Sequence, residues 1–134
     1  MSEYLRDTDT ASRLLLADRR TVTAMRRSGA KAIGISAVTQ SELLYGARLR
    51  DDKPAIMAAV RAFLAGVTVH PRDDDAAEQH ALICATAKAQ GRNAGVFDIM
   101  ITAHARALGA TLVTSDAAIA NLGVDGLVVV DWRG

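Results

Sequence analysis

Short apolar runs alternate with longer mixed segments along the chain. The runs are rich in Val, Ile and Leu and are too short for helices, so they predict strands at residues 4–6, 32–36, 67–69, 111–113 and 127–130. The longer segments between them predict helices at about residues 10–16, 18–28, 38–48, 54–65, 75–90 and 98–108. Asp116 is placed to begin one more short helix after the fourth strand.

Strands that alternate with helices of roughly ten or more residues form right-handed crossovers and a parallel sheet. We therefore predict an α/β protein with one domain over residues 1–134. It should have three layers, α/β/α, and a mainly parallel sheet of about five strands. Ligands bind at the carboxyl ends of such strands, so residues that directly follow strands are the first candidates for chemistry.

Composition narrows the class of protein further. A chain of 134 residues that is 50% hydrophobic has the size and apolar content of one compact domain. Its single Cys84 excludes an internal disulfide and a cysteine zinc site. No apolar run approaches the roughly 18 residues of a membrane span and the start lacks a signal peptide, so we expect a cytoplasmic protein without membrane contact. A net charge of +1 and an aromatic content of 4% predict that any nucleic acid is held mainly by its backbone.

Four acidic residues follow or face the predicted strand ends. Asp7 follows the first strand, Glu42 lies beyond the second, Asp98 opens a helix and Asp116 follows the fourth strand. Carboxylates brought to one rim repel each other, and a divalent cation removes that cost. Mg²⁺ prefers oxygen ligands, so the four acids predict a magnesium site that handles a phosphodiester.

Each acid also has a purely structural interpretation. Glu42 stands three residues after Thr39, the spacing of a capping box, and Asp98 and Asp116 are placed to cap helices. The acidic run at residues 73–75 is interpreted as structural only, with Asp75 and Glu78 as a capping box.

Four segments in series resemble the PIN-domain ribonucleases, and specifically the VapC toxins of type II toxin–antitoxin systems. They are residues 4–12 (YLRDTDTAS), 35–46 (ISAVTQSELLYG), 97–105 (FDIMITAHA) and 109–116 (GATLVTSD), followed by Val130-Asp131-Trp132. The resemblance covers essentially the whole chain in the expected order. Each segment alone is loose, and the series is specific.

The resemblance implies a function and a site. It makes Asp7, Glu42, Asp98 and Asp116 the acidic set that holds Mg²⁺, with Mn²⁺ as a substitute, and makes Thr114 a residue that positions water or metal. It implies an endoribonuclease toxin that pairs with itself and is covered by a cognate VapB-type antitoxin. The stretch at residues 7–12 looks like the branch of these toxins that cuts initiator tRNA, so we expect a cut in a tRNA anticodon loop.

Several residues depart from the family pattern. Asp9 replaces the usual asparagine and would add charge beside Asp7, Ser115 stands where asparagine is frequent, and Phe97 occupies an often polar position. Arg6 lies in a strand that should be buried, where an unpaired guanidinium is costly. These departures keep open the alternative of a catalytically silent PIN domain that only binds RNA or protein.

Two other classes fit poorly. A phosphoacceptor signalling domain needs an acceptor Asp after the third strand, where this chain has His70-Pro71, and usually a Lys after the last strand. A nucleotide-binding domain needs a glycine-rich phosphate loop, and no such loop follows a strand here.

The remaining candidates have ordinary explanations. The arginines on the second helix form either a solvated face or a phosphate-contacting stripe: Arg19, Arg20, Arg26 and Arg27. Arg92, in the loop before Asp98, is a candidate RNA contact or simply solvated. The three histidines, His70, His80 and His104, are interpreted as structural, and Cys84 as a small buried hydrophobe.

Overall fold

The computed structural model describes residues 3–30 and 32–133. The strands are β1 (Tyr4–Arg6), β2 (Gly34–Ser36), β3 (Thr68–His70), β4 (Thr111–Val113) and β5 (Val129–Val130). The helices are α1 (Thr8–Leu15), α2 (Arg19–Ser28), α3 (Ala37–Arg48), α4 (Pro54–Ala65), α5 (Asp74–Ala89), α6 (Val96–Leu108) and α7 (Ala117–Ala120). All of the strands that were expected from the sequence are present.

The sheet has the order β3-β2-β1-β4-β5, and every neighbouring pair is parallel. Leu5 of the central strand lies opposite Gly34 on one side and Leu112 on the other. The chain moves to one side of β1 for β2 and β3 and to the other side for β4 and β5. This change of direction opens a crevice at the carboxyl end of β1, the usual ligand position in such sheets.

Helices cover both faces of the sheet, which confirms the three-layer prediction. On one face, buried residues of β1, β4, α6 and α7 pack together: Leu5, Ile101, Ala105, Ala110, Leu112 and Ile119. On the other face, buried residues of α1, β2, α3 and α4 pack together: Ala11, Ile35, Leu43, Ala47 and Val60. A third cluster joins α5 to the outer side of α6: Ile83, Ala87, Ile99, Ala103 and Leu122. The two large clusters hold the strand ends in fixed positions.

Arg6 is fully buried in the central strand, with 0% of its surface exposed. Its Nη1 donates a hydrogen bond to the Tyr4 carbonyl at 2.7 Å, and its guanidinium lies 4.8 Å from the centre of the Trp132 ring. Burial lowers the pKa of Arg6 to about 10, so it stays charged at neutral pH. The bond to Tyr4 and the contact with the Trp132 ring offset part of the cost of burying this charge, while Nε and Nη2 have no hydrogen-bond partner among the described residues.

Three helix starts differ from the sequence-based expectation. Helix α6 begins at Val96, so the expectation that Asp98 opens this helix was wrong. Helix α3 is capped by Ser36, which rules out the Thr39 and Glu42 capping box. Helix α5 is capped by Asp73, whose side chain accepts from Ala76 N at 3.0 Å, so the expected capping box of Asp75 and Glu78 is wrong. In each of these three cases the chain leaves the extended conformation earlier than expected. The helix therefore begins before the expected cap residue.

None of the helices in the described part of the chain has the length and apolar character needed to cross a membrane.

Candidate active site

Asp7 lies at the carboxyl end of β1 and is 3% exposed. Its Oδ1 accepts from Thr10 N at 2.9 Å, so it caps α1, and its Oδ2 accepts from Thr114 Oγ1 at 2.5 Å. The Thr114 hydroxyl also accepts from Asp116 N at 3.0 Å. Thr114 therefore fixes the Asp7 carboxylate to the loop that carries Asp116.

Glu42 lies on the second turn of α3 and is oriented from α1 rather than from its own helix. Thr8 Oγ1 donates to Glu42 Oε1 at 2.5 Å and lies 3.3 Å from Thr39 Oγ1. Sequence reasoning did not assign a role to Thr8. Its only signal was its position directly after Asp7.

Asp98 is the third residue of α6, behind a glycine at the cap position, Gly95. No side-chain bond caps this helix, so the interpretation of Asp98 as a cap is not supported. A Cβ atom on Gly95 would lie 2.9 Å from Asp98 Oδ2, so the glycine leaves the carboxylate its space. Burial first, and then the neighbouring charges of Asp116, Glu42 and Asp7, together raise the pKa of Asp98 to about 6.

Asp116 follows β4 and caps α7, and its Oδ1 accepts from Ala118 N at 2.8 Å. The structural interpretation of this acid is therefore confirmed. Among the acids, its charge also makes the largest contribution to the raised pKa of Asp98. Asp116 thus caps a helix and belongs to the same electrostatic cluster as the other three acids.

Asp9 is exposed in the first turn of α1, two residues after Asp7. Its charge also raises the pKa of Asp98, although less than the charges of the other three acids. The expectation that Asp9 adds negative charge near the site therefore stays a prediction.

The four acids supply the hard oxygen donors that divalent cations such as Mg²⁺ prefer. Among residues 3–30 and 32–133, no three His, Cys, Asp or Glu side chains are close enough to hold one ion by themselves. Mg²⁺ keeps several of its waters in protein sites, so it needs few direct carboxylate ligands. The mutual effect of the acids on the pKa of Asp98 indicates a site that a cation would relieve. The residues therefore fit a divalent metal.

A second polar network, which sequence reasoning missed, supports the loop between β4 and α7. Arg13 Nη2 donates to Ser115 Oγ at 2.9 Å, and Ser115 Oγ donates to Asp131 Oδ1 at 2.6 Å. The Ser115 bond is the main cause that lowers the pKa of Asp131. Ser115 lies between Thr114 and Asp116, so this network ties both of them to α1 and to the end of β5.

His104 has the structural role expected from the sequence. It is 2% exposed, and its Nδ1 lies 2.8 Å from Ser36 Oγ, at the cap of α3. Burial lowers its pKa, and the nearby His70 lowers it further. Cys84 is half-buried, and its Sγ lies 3.4 Å from His80 Nε2.

The arginine candidates lie outside the acid cluster. Arg92 Nη1 donates to the Leu122 carbonyl at 2.9 Å, so it joins two loops and its proposed RNA contact loses its support. The arginines of the α2 stripe are exposed, as expected of a solvated face.

The fold and the site together define a class of protein. Carboxylates at the carboxyl edge of a parallel sheet, at the point where the strand order changes direction, are suited to metal-dependent hydrolysis of phosphodiesters.

Comparison with known proteins identifies the family. The sequence pattern of the PIN domain matches residues 4–124, so the chain belongs to the PIN-domain family. It is 37% identical over 98 residues to the tRNA(fMet)-specific endonuclease VapC of Shigella flexneri. The aligned residues cover 73% of this chain and 74% of the relative. The function is that of a VapC-type ribonuclease toxin. Nucleases of this family generally use divalent metal ions.

Solved structures agree with this assignment. The DNA-bound VapBC complex of Salmonella typhimurium contains a chain with a TM-score of 0.86 and 25% identity, covering 98% of this chain and 99% of that chain. VapBC-1 of nontypeable Haemophilus influenzae gives a TM-score of 0.83 and 26% identity, with 98% of both chains covered.

Proposed function

We propose that residues 1–134 act as one PIN domain that cuts RNA with Mg²⁺ held by Asp7, Glu42, Asp98 and Asp116. The observation that carries this proposal is the Thr114 hydroxyl, which bonds to both the Asp7 carboxylate and the backbone of Asp116 at the carboxyl ends of β1 and β4. The raised pKa of Asp98, caused first by burial and then by the charges of Asp116, Glu42 and Asp7, supports it. When bound, a divalent cation would lower the pKa of a water and stabilise charge on the phosphate. Mn²⁺ should substitute, since it accepts the same oxygen ligands.

The chain's own residues have separate tasks in this proposal. Thr114 and Thr8 are positioning residues that hold the carboxylates of Asp7 and Glu42 in place. Asp98 gains no such bond from its own helix cap and is left ionisable near neutral pH. It is therefore mostly ionised at neutral pH, and below about pH 6 its protonation would compete with a cation.

The proposed substrate is tRNA, and within it the anticodon loop of the initiator tRNA. The name of the Shigella flexneri relative supports this choice. The near-neutral chain has little general attraction for RNA backbone, so selectivity should come from the shape of a folded RNA with an unpaired loop.

The proposed partners are a VapB-type antitoxin that blocks the site and a second copy of the chain. Similarity to the toxin chains of solved VapBC complexes supports the first partner. We place this activity in the cytoplasm, where tRNA is present.

Incubation of the purified protein with total cellular RNA and Mg²⁺, followed by sequencing of the new 5′ ends, tests the proposal. One dominant cut in the initiator tRNA anticodon loop that disappears with EDTA is expected. Ends scattered over messenger RNA with intact tRNA would contradict the substrate, and no cleavage of any RNA would contradict the nuclease function.

A further inference from the structure

A wide cavity opens beside the four acids, between α3 and the start of α6. Its volume is about 650 Å³, within the range of about 300–1,000 Å³ that is usual for small-ligand pockets. The lining residues are Thr8, Val38, Ser41, Glu42, Tyr45, Phe97 and Met100. Two of them, Thr8 and Glu42, also form part of the acid cluster, so the cavity and the acids share one continuous surface.

The cavity concentrates aromatic surface in a chain that has little of it. The chain contains two Tyr, two Phe and one Trp. One Tyr and one Phe line this cavity, and both are open to solvent: Tyr45 is 66% exposed and Phe97 is 55% exposed. Phe97 directly precedes Asp98. The low overall aromatic content therefore does not exclude stacking at this one position.

We propose that Tyr45 and Phe97 form a stacking subsite for one unpaired nucleobase of the RNA substrate. This inference rests on the proposed function, since it places the base beside the phosphate on which the acids act. Every nucleobase offers a flat face that stacks on aromatic side chains. The Ser41 and Thr8 hydroxyls at the wall offer hydrogen-bonding groups to the edge of the base.

The part of the cavity wall formed by Thr8 and Glu42 also belongs to the acid site, and it favours RNA over a protein segment as the occupant. A nucleotide joins a flat apolar base to a phosphate, and the surface joins an apolar cavity to a cation-binding carboxylate, Glu42. A protein segment would cover the aromatic rings but would bring no phosphate to the acids. The subsite thus supplies the specificity for an unpaired loop.

Fluorescence of 2-aminopurine tests the subsite without cleavage. The probe is an anticodon stem-loop RNA in which 2-aminopurine replaces one loop base at a time, titrated with protein in EDTA. The wild type should quench one loop position strongly. Phe97→Ala and Tyr45→Ala should abolish that quenching and weaken binding by about 5- to 150-fold. Phe97→Tyr and Tyr45→Phe should retain both.

Leu82→Ala is the matched control, because Leu82 is an exposed apolar residue of α5 (59% exposed) outside this cavity. Each variant should keep its melting temperature, since the rings are largely exposed. The dependence of binding on salt should also stay unchanged, because stacking neutralises no phosphate.

Three results would overturn the inference. If the wild type cuts RNA but the Ala variants still bind and quench like it, the subsite is refuted and the proposed function stands. If the Ala variants lose self-association in sedimentation while their RNA binding is unchanged, the surface is a protein interface. If the wild type binds no RNA in EDTA and cuts none with Mg²⁺, the subsite and the proposed function are both refuted.

Discussion

Neutralising Asp98 should stabilise the metal-free protein while it removes activity. In Asp98→Asn the carboxylate that lies among the charges of Asp116, Glu42 and Asp7 becomes a neutral group of the same shape. A charged group that is disfavoured in the folded state lowers the free energy of unfolding. Removal of this charge therefore raises the free energy of unfolding of the metal-free protein, although it weakens the binding of a cation.

The size of this effect follows from the raised pKa. The pKa of Asp98 rises from 3.8 to about 6, first because of burial and then because of its acidic neighbours. About 1.4 kcal/mol per pKa unit gives an upper bound near 3 kcal/mol, and since Asp98 is partly exposed we reduce this to about 1–2 kcal/mol. For a chain of this size, that corresponds to an increase in Tm of about 3–8 °C.

The pH dependence has a definite sign. Because the folded pKa is raised, the contribution of Asp98 to stability is complete below about pH 4 and is lost as the pH rises through about 6. The two proteins should therefore melt alike at pH 4 and differ fully at pH 7.5. The difference in Tm between wild type and Asp98→Asn reports on Asp98 alone, because the other carboxyls that titrate in this pH range are present in both proteins.

Thermal unfolding in EDTA at both pH values, followed by circular dichroism, measures this. Added Mg²⁺ should raise the Tm of the wild type more than that of Asp98→Asn, because the variant lacks one charged ligand. Equal Tm values at pH 7.5 in EDTA would refute the reasoning from carboxylate repulsion. Full ribonuclease activity of the variant at saturating Mg²⁺ would remove Asp98 from the catalytic set.

Three further predictions concern residues around the site. Thr114→Val should lower the affinity for Mg²⁺ about 10- to 100-fold in calorimetry, because the Asp7 carboxylate loses the hydroxyl that orients it. The control Thr68→Val on β3 should leave this affinity unchanged, and an unchanged affinity in Thr114→Val would contradict the prediction. Asp9→Asn should change the stability in EDTA by less than about 0.5 kcal/mol, because reduced repulsion and the lost helix-dipole interaction oppose each other; a large gain would place Asp9 inside the cluster. Because the folded pKa of His104 is lowered, the wild type should lose stability below pH 6.5 relative to His104→Gln, and parallel pH profiles of Tm would exclude this.

Most of the fold could be predicted from the sequence, because the strands of a buried parallel sheet consist of short apolar runs. Helix starts were less predictable. Ser36 ends β2 and at the same time caps α3, so a single residue belongs to two signals. Gly95 stands at the cap of α6 without any side chain that would mark a helix start. Ser36 was therefore assigned to its strand only, and Gly95 offered no polar side chain that would mark a cap.

The four acids of the site could also be predicted, but not what orients them. The bonds from Thr8 to Glu42 and from Thr114 to Asp7 join elements that are far apart in sequence. The same holds for the meeting of Tyr45 and Phe97, which are separated by two helices and a strand. Such contacts depend on how helices pack, and no local pattern specifies them.

Two of the four acids, Asp7 and Asp116, cap helices, and capping does not exclude the proposed metal binding. An ionised carboxylate can accept about four hydrogen bonds. The Asp7 carboxylate accepts one from Thr10 N and one from Thr114 Oγ1, and Asp116 accepts one from Ala118 N, so both retain lone pairs for a cation. Asp98 has no cap bond of this kind, and the repulsion within the cluster therefore falls on Asp98, where a bound cation would relieve it most.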